Sequence, residues 1–205
     1  EHVSNVTADT LEEVFKQFDP STYAFPVDGL IIEHESKKYG RSLGATGHHE
    51  SCRMALKWKD ETVETEFVGV DMAATRTGTI SLTAMFKPVK IDGSTVSRAT
   101  LHNLTYFKKL KLGAGDRITV YKSNMIIPAI DENLTGSNSY ELPMVCPSCR
   151  TPLKIHTSEQ SGTETLHCPN SHCPARRIAQ FEHFVSRDAM DIRGLSGSKL
   201  EDLLQ

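Results

Sequence analysis

The first 60 residues change from helical to strand-like spacing of their apolar positions. The run TADTLEEVFKQF places apolar residues three and four positions apart behind the candidate N-caps Thr7 and Asp9, and it predicts one amphipathic helix. The apolar run in DGLIIEHE predicts a buried strand, and RMALKW predicts a second, short strand. The glycine-rich stretch YGRSLGATGHHE between them predicts a connection, with His48 and His49 as loop residues.

From Thr62 onward, apolar and polar residues alternate with a period of two. Four runs rich in β-branched residues are separated by Gly, Pro and Asp: TVETEFVGVDM, TISLTAMFKPVKI, RITVYKSN and MIIPAI. Helical spacing is confined to LHNLTYFKKL in this region and to PARRIAQFEHFVSR further on. Several short strands in succession predict a small β-barrel. The expected fold class is therefore mainly β with small α elements.

Charge is distributed unevenly along the chain, although the net formal charge of the 205 residues is only −3. Residues 72–130 carry nine Lys and Arg against two Asp and Glu, a net charge of +7, while residues 1–71 carry seven against 14, a net charge of −7. A central basic segment of this kind is typical either of a solvated face or of a surface for a polyanionic partner. No apolar run approaches the roughly 18 residues that a membrane helix needs, and the N-terminus does not resemble a signal peptide, so we expect a cytoplasmic protein without a membrane partner.

Four of the five cysteines form the pattern C-x2-C, 18 residues, C-x4-C: Cys146, Cys149, Cys168 and Cys173. Two such turns can offer paired thiolates to one tetrahedral Zn²⁺, which is then coordinatively closed and stabilises the fold. Buried cysteines without a metal are an alternative, and His167 or His172 could replace one of the four ligands. The lone Cys52 is expected to be a small core residue.

The stretch GSTVSRATLHN, a following strand, the four-cysteine module and SRDAMDIRGL together resemble the C-terminal half of bacterial NAD-dependent DNA ligases. The resemblance covers nearly the whole chain after about Pro26. It implies four parts in order: the end of the adenylation (nucleotidyltransferase) domain at 1–60, an OB-fold barrel at 61–140, a four-cysteine zinc ribbon-like module at 141–175 and the start of a helix-hairpin-helix domain at 176–205.

The same resemblance implies an activity and its cofactors. Ligases of this family seal nicks in duplex DNA through an enzyme–AMP intermediate, use NAD and Mg²⁺ in the full-length enzyme, and serve DNA replication and repair. We therefore expect structural Zn²⁺ in this chain, nicked duplex DNA as its partner, and a monomer. The resemblance places the adenylated lysine upstream of Glu1, so we expect a fragment that is inactive alone.

Two segments resemble the adenylate pocket of the family. VDGLIIE resembles the strand that closes the pocket, and MALKW resembles the last adenylation motif, in which Lys57 meets the adenylate phosphate. A fixed cation there lowers the barrier, because attack on phosphorus concentrates negative charge on the non-bridging oxygens. The resemblance assigns four residues to the pocket: Asp28, Gly29, Glu33 and Lys57. Without the resemblance, a surface strand lysine is the better interpretation of Lys57.

Glu33 departs from the family pattern, because most relatives have a lysine at its position. That phosphate contact is therefore either absent in this chain or supplied by Lys37 or Lys38. Met125 is a second departure, since many relatives have Asp there.

Six residues are DNA-binding candidates by resemblance: Arg76, Arg98, His102, Asn103, Gly194 and Gly197. Arg76 lies in TRTG, which resembles the barrel loop whose arginine meets the DNA backbone, and SRATLHN supplies the next three. The two glycines would open a hairpin whose next helix start presents backbone N–H groups to a phosphate. Backbone contacts carry no base information, which suits an enzyme that must seal any nick. Solvated arginines and a plain helix connector remain alternatives.

Lys90-Ile91-Asp92-Gly93 spells K-x-D-G, the form in which nucleotidyltransferases present their nucleophilic lysine. Asp-Gly after a strand-like run is, however, typical of a tight turn. We predict that Lys90 lies in a barrel strand just before a tight turn and is not a nucleophile. The competing function for the whole chain is a non-enzymatic nucleic-acid adaptor built from an OB barrel and a zinc module, and Asp28, Gly29 and Lys57 favour the ligase, since an adaptor needs no nucleotide pocket.

Overall fold

The computed structural model describes residues 3–25, 27–47, 49–58 and 61–203, and the chain divides into two compact units, residues 1–60 and 61–205. His48 lies outside the described residues. No described helix is long and apolar enough to cross a bilayer.

The first unit is a small α/β arrangement around one antiparallel pair of strands. In chain order its elements are α1 (Leu11–Gln17), a 3-10 turn (Pro20–Thr22), β1 (Gly29–Glu33), α2 (Lys37–Ser42), β2 (Ala45–Thr46), β3 (His49–Glu50) and β4 (Arg53–Lys57). β1 pairs with β4, and β2 with β3. Phe15 of α1 stacks on Trp58 with ring centroids 5.1 Å apart, so α1 is fixed to the end of β4 by aromatic contact.

Three expectations for this unit are corrected. The segment expected to be only a connection contains the helix α2, whose N-terminus is capped by the Ser36 side chain accepting from Tyr39 N. His49, expected in a loop, lies in the short strand β3. The strand expected to be buried leaves Ile31 73% exposed, because a two-stranded ribbon covers neither of its own faces. Cys52 is half-buried and packs against Gly40 of α2.

The second unit contains a five-stranded antiparallel barrel, and the period-two pattern predicted a small barrel and four of its strands. Its elements are β5 (Val63–Ala74), β6 (Ile80–Ile91), β7 (Ser94–Thr100), α3 (Leu104–Leu110), β8 (Arg117–Ser123) and β9 (Ile127–Asn133). The hydrogen-bonded order is β7-β6-β5-β8-β9, and Cα atoms of the edge strands β7 and β9 approach within 8 Å, so the sheet curls back on itself. α3 connects β7 to β8.

Alternating side chains fill the barrel. β6 buries every second residue from Ile80 to Phe86, and its outward residues are more exposed. Asn103 accepts from Tyr106 N at 2.8 Å and so caps α3, which turns Leu104, Phe107 and Leu110 into the core.

The four-cysteine module packs against this barrel and shares its core. The remaining elements are β10 (Lys154–Thr157), β11 (Glu164–His167), α4 (Pro174–Val185) and α5 (Gly197–Leu203). Leu153, Leu166 and three of the cysteines belong to the same buried cluster as the barrel residues. The barrel and the module therefore share one continuous apolar interior.

The K-x-D-G stretch forms the predicted turn. Lys90 is an exposed residue of β6 opposite Thr95 of β7. Asp92 and Gly93 link the two strands with φ angles of 47° and 73°, the left-handed pair that a two-residue hairpin turn requires.

Asp116 ties together three segments at one end of the barrel. Its carboxylate accepts from Gly113 N at 2.8 Å, Asn133 Nδ2 at 2.8 Å and Ser137 N at 3.3 Å. Burial raises the pKa of this carboxyl, but the hydrogen bonds from Asn133, Ser137 and Gly113 outweigh burial and leave the pKa below its ordinary value. The ionised form is thus the one that the fold stabilises.

Replacing Asp116 should show this dependence on ionisation. Asp116→Ala leaves three donors without their acceptor, and we expect it to lower the free energy of unfolding by about 1–3 kcal/mol at neutral pH. Asp116→Asn keeps an oxygen acceptor without the charge and should cost less. Because the folded pKa is depressed, the stabilisation by the charge is present above the ordinary aspartate pKa of 3.8 and disappears as the pH falls through the folded pKa.

Urea unfolding of the three proteins between pH 7 and pH 3 measures these differences. The gap between the native protein and Asp116→Asn should close at the acid end. A gap that is independent of pH would contradict the role of the charge.

Candidate functional site

Four cysteine sulfurs meet at one point of the second unit. Sγ of Cys146 lies 3.8 Å from Sγ of Cys173, Sγ of Cys149 lies 3.5 Å from Sγ of Cys168, and all four lie within 4.8 Å of one another. An ion with four tetrahedral sulfur ligands at about 2.3 Å holds them about 3.8 Å apart. Within the described part of the chain, this is the sole group of three or more candidate metal-ligating side chains.

Local turns place the sulfurs. After Cys146 the chain turns back through Arg150, at φ 59°, and Arg150 N donates to Cys146 O at 3.0 Å. Cys173 immediately precedes Pro174, the first residue of α4. A thiolate at a helix N-terminus is stabilised by the helix dipole. The second pair of cysteines has a turn of its own, in which Cys173 N donates to Asn170 O at 3.3 Å.

The electrostatics of the cluster favour a bound cation. Hydrogen bonding with Thr151 lowers the pKa of Cys149 to about 5, while burial raises the pKa of Cys168 to about 12. If all four sulfurs were thiolates they would repel one another at these distances, and a cation between them would remove that repulsion; Zn²⁺ is among the ions that soft sulfur donors select. The four cysteines thus fit the ion by geometry and by ligand chemistry.

The two histidines beside the ligands have other surroundings. His167 Nε2 lies 3.0 Å from Thr77 O, in the loop between β5 and β6, and His172 is exposed. The cluster therefore consists of four cysteines without a histidine.

Arg76 lies in that β5–β6 loop, the TRTG loop (residues 75–78). Thr75 N donates to Thr79 O, and Gly78 N donates to Thr75 O, each at 2.9 Å, which closes a tight turn. The Arg76 side chain is exposed, and no ion pair among the described residues includes it. Its guanidinium is accessible to an anion.

The other barrel candidates have protein partners. Arg98 on β7 forms an ion pair with Asp71 on β5, and both side chains are about half exposed. His102 is exposed at φ 53°, with its ring edge-to-face against Tyr106. The Asn103 side chain caps α3. A phosphate at Arg98 would therefore compete with Asp71, and Asn103 has a structural role that the sequence did not predict.

In the first unit the structure brings together three of the four pocket candidates. Lys57 Nζ lies 3.0 Å from Asp28 Oδ2, and Gly29 is directly opposite Lys57. The Lys57 hydrogen bond and charge hold the pKa of Asp28 below its ordinary value. A Cβ at Gly29 would lie 2.6 Å from Leu56 O, so glycine is required for this strand pairing.

Glu33 lies at the other end of β1 and pairs with Arg53 at 3.3 Å. It is thus separated from the group of Asp28, Gly29 and Lys57. Lys37 and Lys38, the residues that could supply the contact if it is not absent, are exposed at the start of α2.

The hairpin glycines differ in their surroundings. Gly194, at φ 88°, has open space where a side chain would be. Gly197 begins α5, and a Cβ there would overlap Glu182 Oε1. The Glu182 carboxylate therefore lies beside the helix start where a phosphate was expected. Neither Glu182 nor Asp71 gave a signal in the sequence, because the residues that they meet are distant in the chain.

Comparison with known proteins relates the chain to one family. Residues 64–141 match the family model of the NAD-dependent DNA ligase OB-fold domain. Apart from Val63, the first residue of β5, that range includes every strand of the barrel and α3.

Three bacterial proteins named DNA ligase are similar along nearly the whole chain. Those from Ruminiclostridium cellulolyticum and Lachnoclostridium phytofermentans are each 44% identical over 201 residues, 97% of this chain and 30% of the relative. That from Ligilactobacillus salivarius is 33% identical over 204 residues, 95% of this chain and 30% of the relative. The chain therefore spans about 30% of the length of these curated relatives.

Proposed function

We propose that this chain, which belongs to the NAD-dependent DNA ligase family, is part of a cytoplasmic, monomeric enzyme that seals nicks in duplex DNA through an enzyme–AMP intermediate. The observation that carries the proposal is the barrel itself: the family match covers its five strands except Val63, and the exposed Arg76 lies in the loop between β5 and β6. NAD supplies the AMP group, with Mg²⁺, in the full-length enzyme.

The proposed division of work follows the four parts of the chain. Residues 1–60 are the end of the adenylation domain, and residues 61–140 are the OB-fold barrel that contacts DNA. Residues 141–175 are a four-cysteine zinc module that stabilises the fold, and residues 176–205 begin a helix-hairpin-helix domain. The boundary at residue 60 coincides with the division between the two compact units, which supports this assignment.

Lys57 is the proposed catalytic residue of this chain. Its ammonium group faces the adenylate phosphate and stabilises the negative charge that grows on the non-bridging oxygens. Asp28, 3.0 Å away, orients the ammonium, and Gly29 lets β1 and β4 approach closely at this point. An exposed ion pair of this kind is worth little in itself, so an arriving phosphate can share or replace Asp28 at small cost.

The barrel is proposed to bind the DNA backbone. Residues 72–130 carry a net charge of +7, nine Lys and Arg against two Asp and Glu. Arginine contacts to phosphates fix the position of the protein without reading bases. Arg98, His102, Asn103, Gly194 and Gly197 are kept as further DNA-binding candidates, although Arg98 must exchange Asp71 for a phosphate.

The competing function is a non-enzymatic nucleic-acid adaptor with the same barrel and zinc module. The grouping of Asp28, Gly29 and Lys57 favours the ligase, because a backbone-binding adaptor has no use for it. The two functions differ because only the ligase needs Lys57 for its reaction.

Nick sealing by the full-length protein tests this difference. With NAD and Mg²⁺ it should seal a nicked duplex, and Lys57→Ala should lower the rate by about 100-fold or more, as for loss of one preorganised charge-stabilising group. Lys16→Ala, which changes an exposed lysine of α1, is the matched control and should have no effect. The 205-residue chain alone should gain no AMP on Lys90 by mass spectrometry. An adduct on Lys90, or full activity of Lys57→Ala, would refute the proposed roles.

Zinc binding is tested by metal analysis. We expect one Zn²⁺ per chain and its loss in Cys168→Ser. Chelation should lower the melting temperature, because the free energy of metal binding to the native state adds to the stability of the fold. Cys52→Ser removes the one cysteine outside the cluster and should keep the metal. A stoichiometry near zero in protein purified without chelator would contradict the site.

DNA binding is tested by titration with duplexes of different sequence. Arg76→Ala should weaken binding to all of them alike and make the slope of log K against log salt shallower by about 0.9. Arg41→Ala, which changes an exposed arginine of α2 outside the barrel, is the control and should leave the affinity and the slope unchanged. Affinity that does not depend on salt, or that prefers one sequence, would count against a backbone-binding barrel.

A further inference from the structure

The TRTG loop lies at a barrel end, yet its main chain is held by residues some 90 positions later. Gly78 O accepts from Cys168 N at 2.8 Å, and Thr77 O lies 3.0 Å from His167 Nε2. Thr79 and His167 also form an antiparallel bridge. The second half of the cysteine module thus contacts the loop just beyond Arg76.

Helix α4 supplies a third support. Gln180 Nε2 donates to Arg76 O at 3.4 Å. The Arg176 guanidinium lies near Gly78, where a Cβ would come within 3.1 Å of its Cζ, and its Nη1 donates to Asn170 O at 3.2 Å in the second cysteine turn. Three successive carbonyls of the loop, at residues 76, 77 and 78, therefore face donors from the module and α4.

Gly78 fits this arrangement closely. It is buried, at φ 92°, and a Cβ there would lie 2.8 Å from His167 Nε2 and 2.9 Å from Cys168 O. Only a residue without a side chain allows the loop backbone to lie this close to the module.

These contacts matter for binding because an exposed turn without them would be mobile. A hairpin tip is among the more mobile parts of a domain, and a side chain on it must be ordered when it binds. Fixing the backbone beforehand lowers that cost, which is the general effect of preorganisation on affinity. Here the backbone is fixed while the Arg76 side chain stays exposed.

We propose that His167 and Gly78 are positioning residues that dock the TRTG loop onto the cysteine module and so hold Arg76 ready for a DNA phosphate. This rests on the proposed contact between Arg76 and DNA. His167 donates its Nε2 hydrogen to Thr77 O and touches no DNA itself. The module then has a second task besides stabilising the fold, which is to fix the geometry of the barrel's DNA-binding loop.

The first test is a double-mutant cycle on duplex DNA binding by the 205-residue chain. His167→Ala should lower the affinity about 2- to 10-fold, the size expected when one more side chain must be ordered on binding. In the Arg76→Ala background the same change should have little further effect, because His167 acts through Arg76.

Two further variants serve as controls. His167→Gln can still donate to Thr77 O and should restore most of the affinity. His156→Ala, which changes an exposed histidine of β10, should leave the affinity unchanged.

The second test uses two glycines that share a left-handed backbone. Gly78→Ala and Gly93→Ala both place a side chain at positive φ, but Gly93 has open space around it, whereas Gly78 meets the module. Gly78→Ala should weaken DNA binding and speed hydrogen exchange of the amides at positions 75 and 78, whereas Gly93→Ala should do neither. Gln180→Ala, away from the metal ligands, should act in the same direction as His167→Ala.

The outcomes distinguish the positioning role of His167 and Gly78 from the proposed DNA contact of Arg76. Zinc content and far-UV circular dichroism of each variant show that the module is intact, and only variants that keep both are compared. If Arg76→Ala weakens binding but His167→Ala and Gln180→Ala do not, or if their effects add to that of Arg76→Ala, the positioning role is wrong and the DNA role of Arg76 stands. If Arg76→Ala has no effect on binding, both are wrong.

Discussion

The continuous apolar core that joins the barrel to the cysteine module is the constraint on which the second unit depends. Phe67, Leu101 and Ile118 from the barrel lie in one buried cluster with Leu166 and with Cys146, Cys168 and Cys173. A four-cysteine module of about 30 residues has too little interior to fold by burial alone. The module gains apolar contacts by sharing the core of the barrel. Its four cysteine sulfurs hold its turns together next to that core.

The barrel could be predicted because its strands alternate. β6 buries one residue in two over most of its length, and that period is visible in the sequence. β7 was missed as a strand because STVSRAT is mostly polar and Ala99 is its one buried side chain. An edge strand paired along a single side needs few apolar residues, so periodicity carries little signal there. α2 was missed because a helix of six residues containing Gly40 has no clear apolar spacing.

The candidate site was predictable where its residues are close in sequence. Two pairs of cysteines at short spacing specify their own turns, and the structure brings the four sulfurs together. The pairing of Lys57 with Asp28, and that of Arg98 with Asp71, joins residues nearly 30 positions apart, and only the strand register decides it. The support of the TRTG loop by His167 and Gln180 crosses even larger separations. Such contacts depend on how the module packs on the barrel, and no local pattern in the sequence encodes that.

The candidate cations differ in what they must give up to meet a phosphate. Lys57 and Arg98 each have a carboxylate partner, and both pairs are about half exposed, so the exchange costs little but is not free. Arg76 has no such partner among the described ion pairs, and its main-chain oxygen is held while its side chain is exposed. An arginine whose backbone is fixed and whose charge is unpaired needs the least rearrangement to bind a phosphate. If the proposed DNA contact exists, this argument makes Arg76 the residue that we expect to meet a phosphate first, with Arg98 following once a nearby phosphate draws it from Asp71.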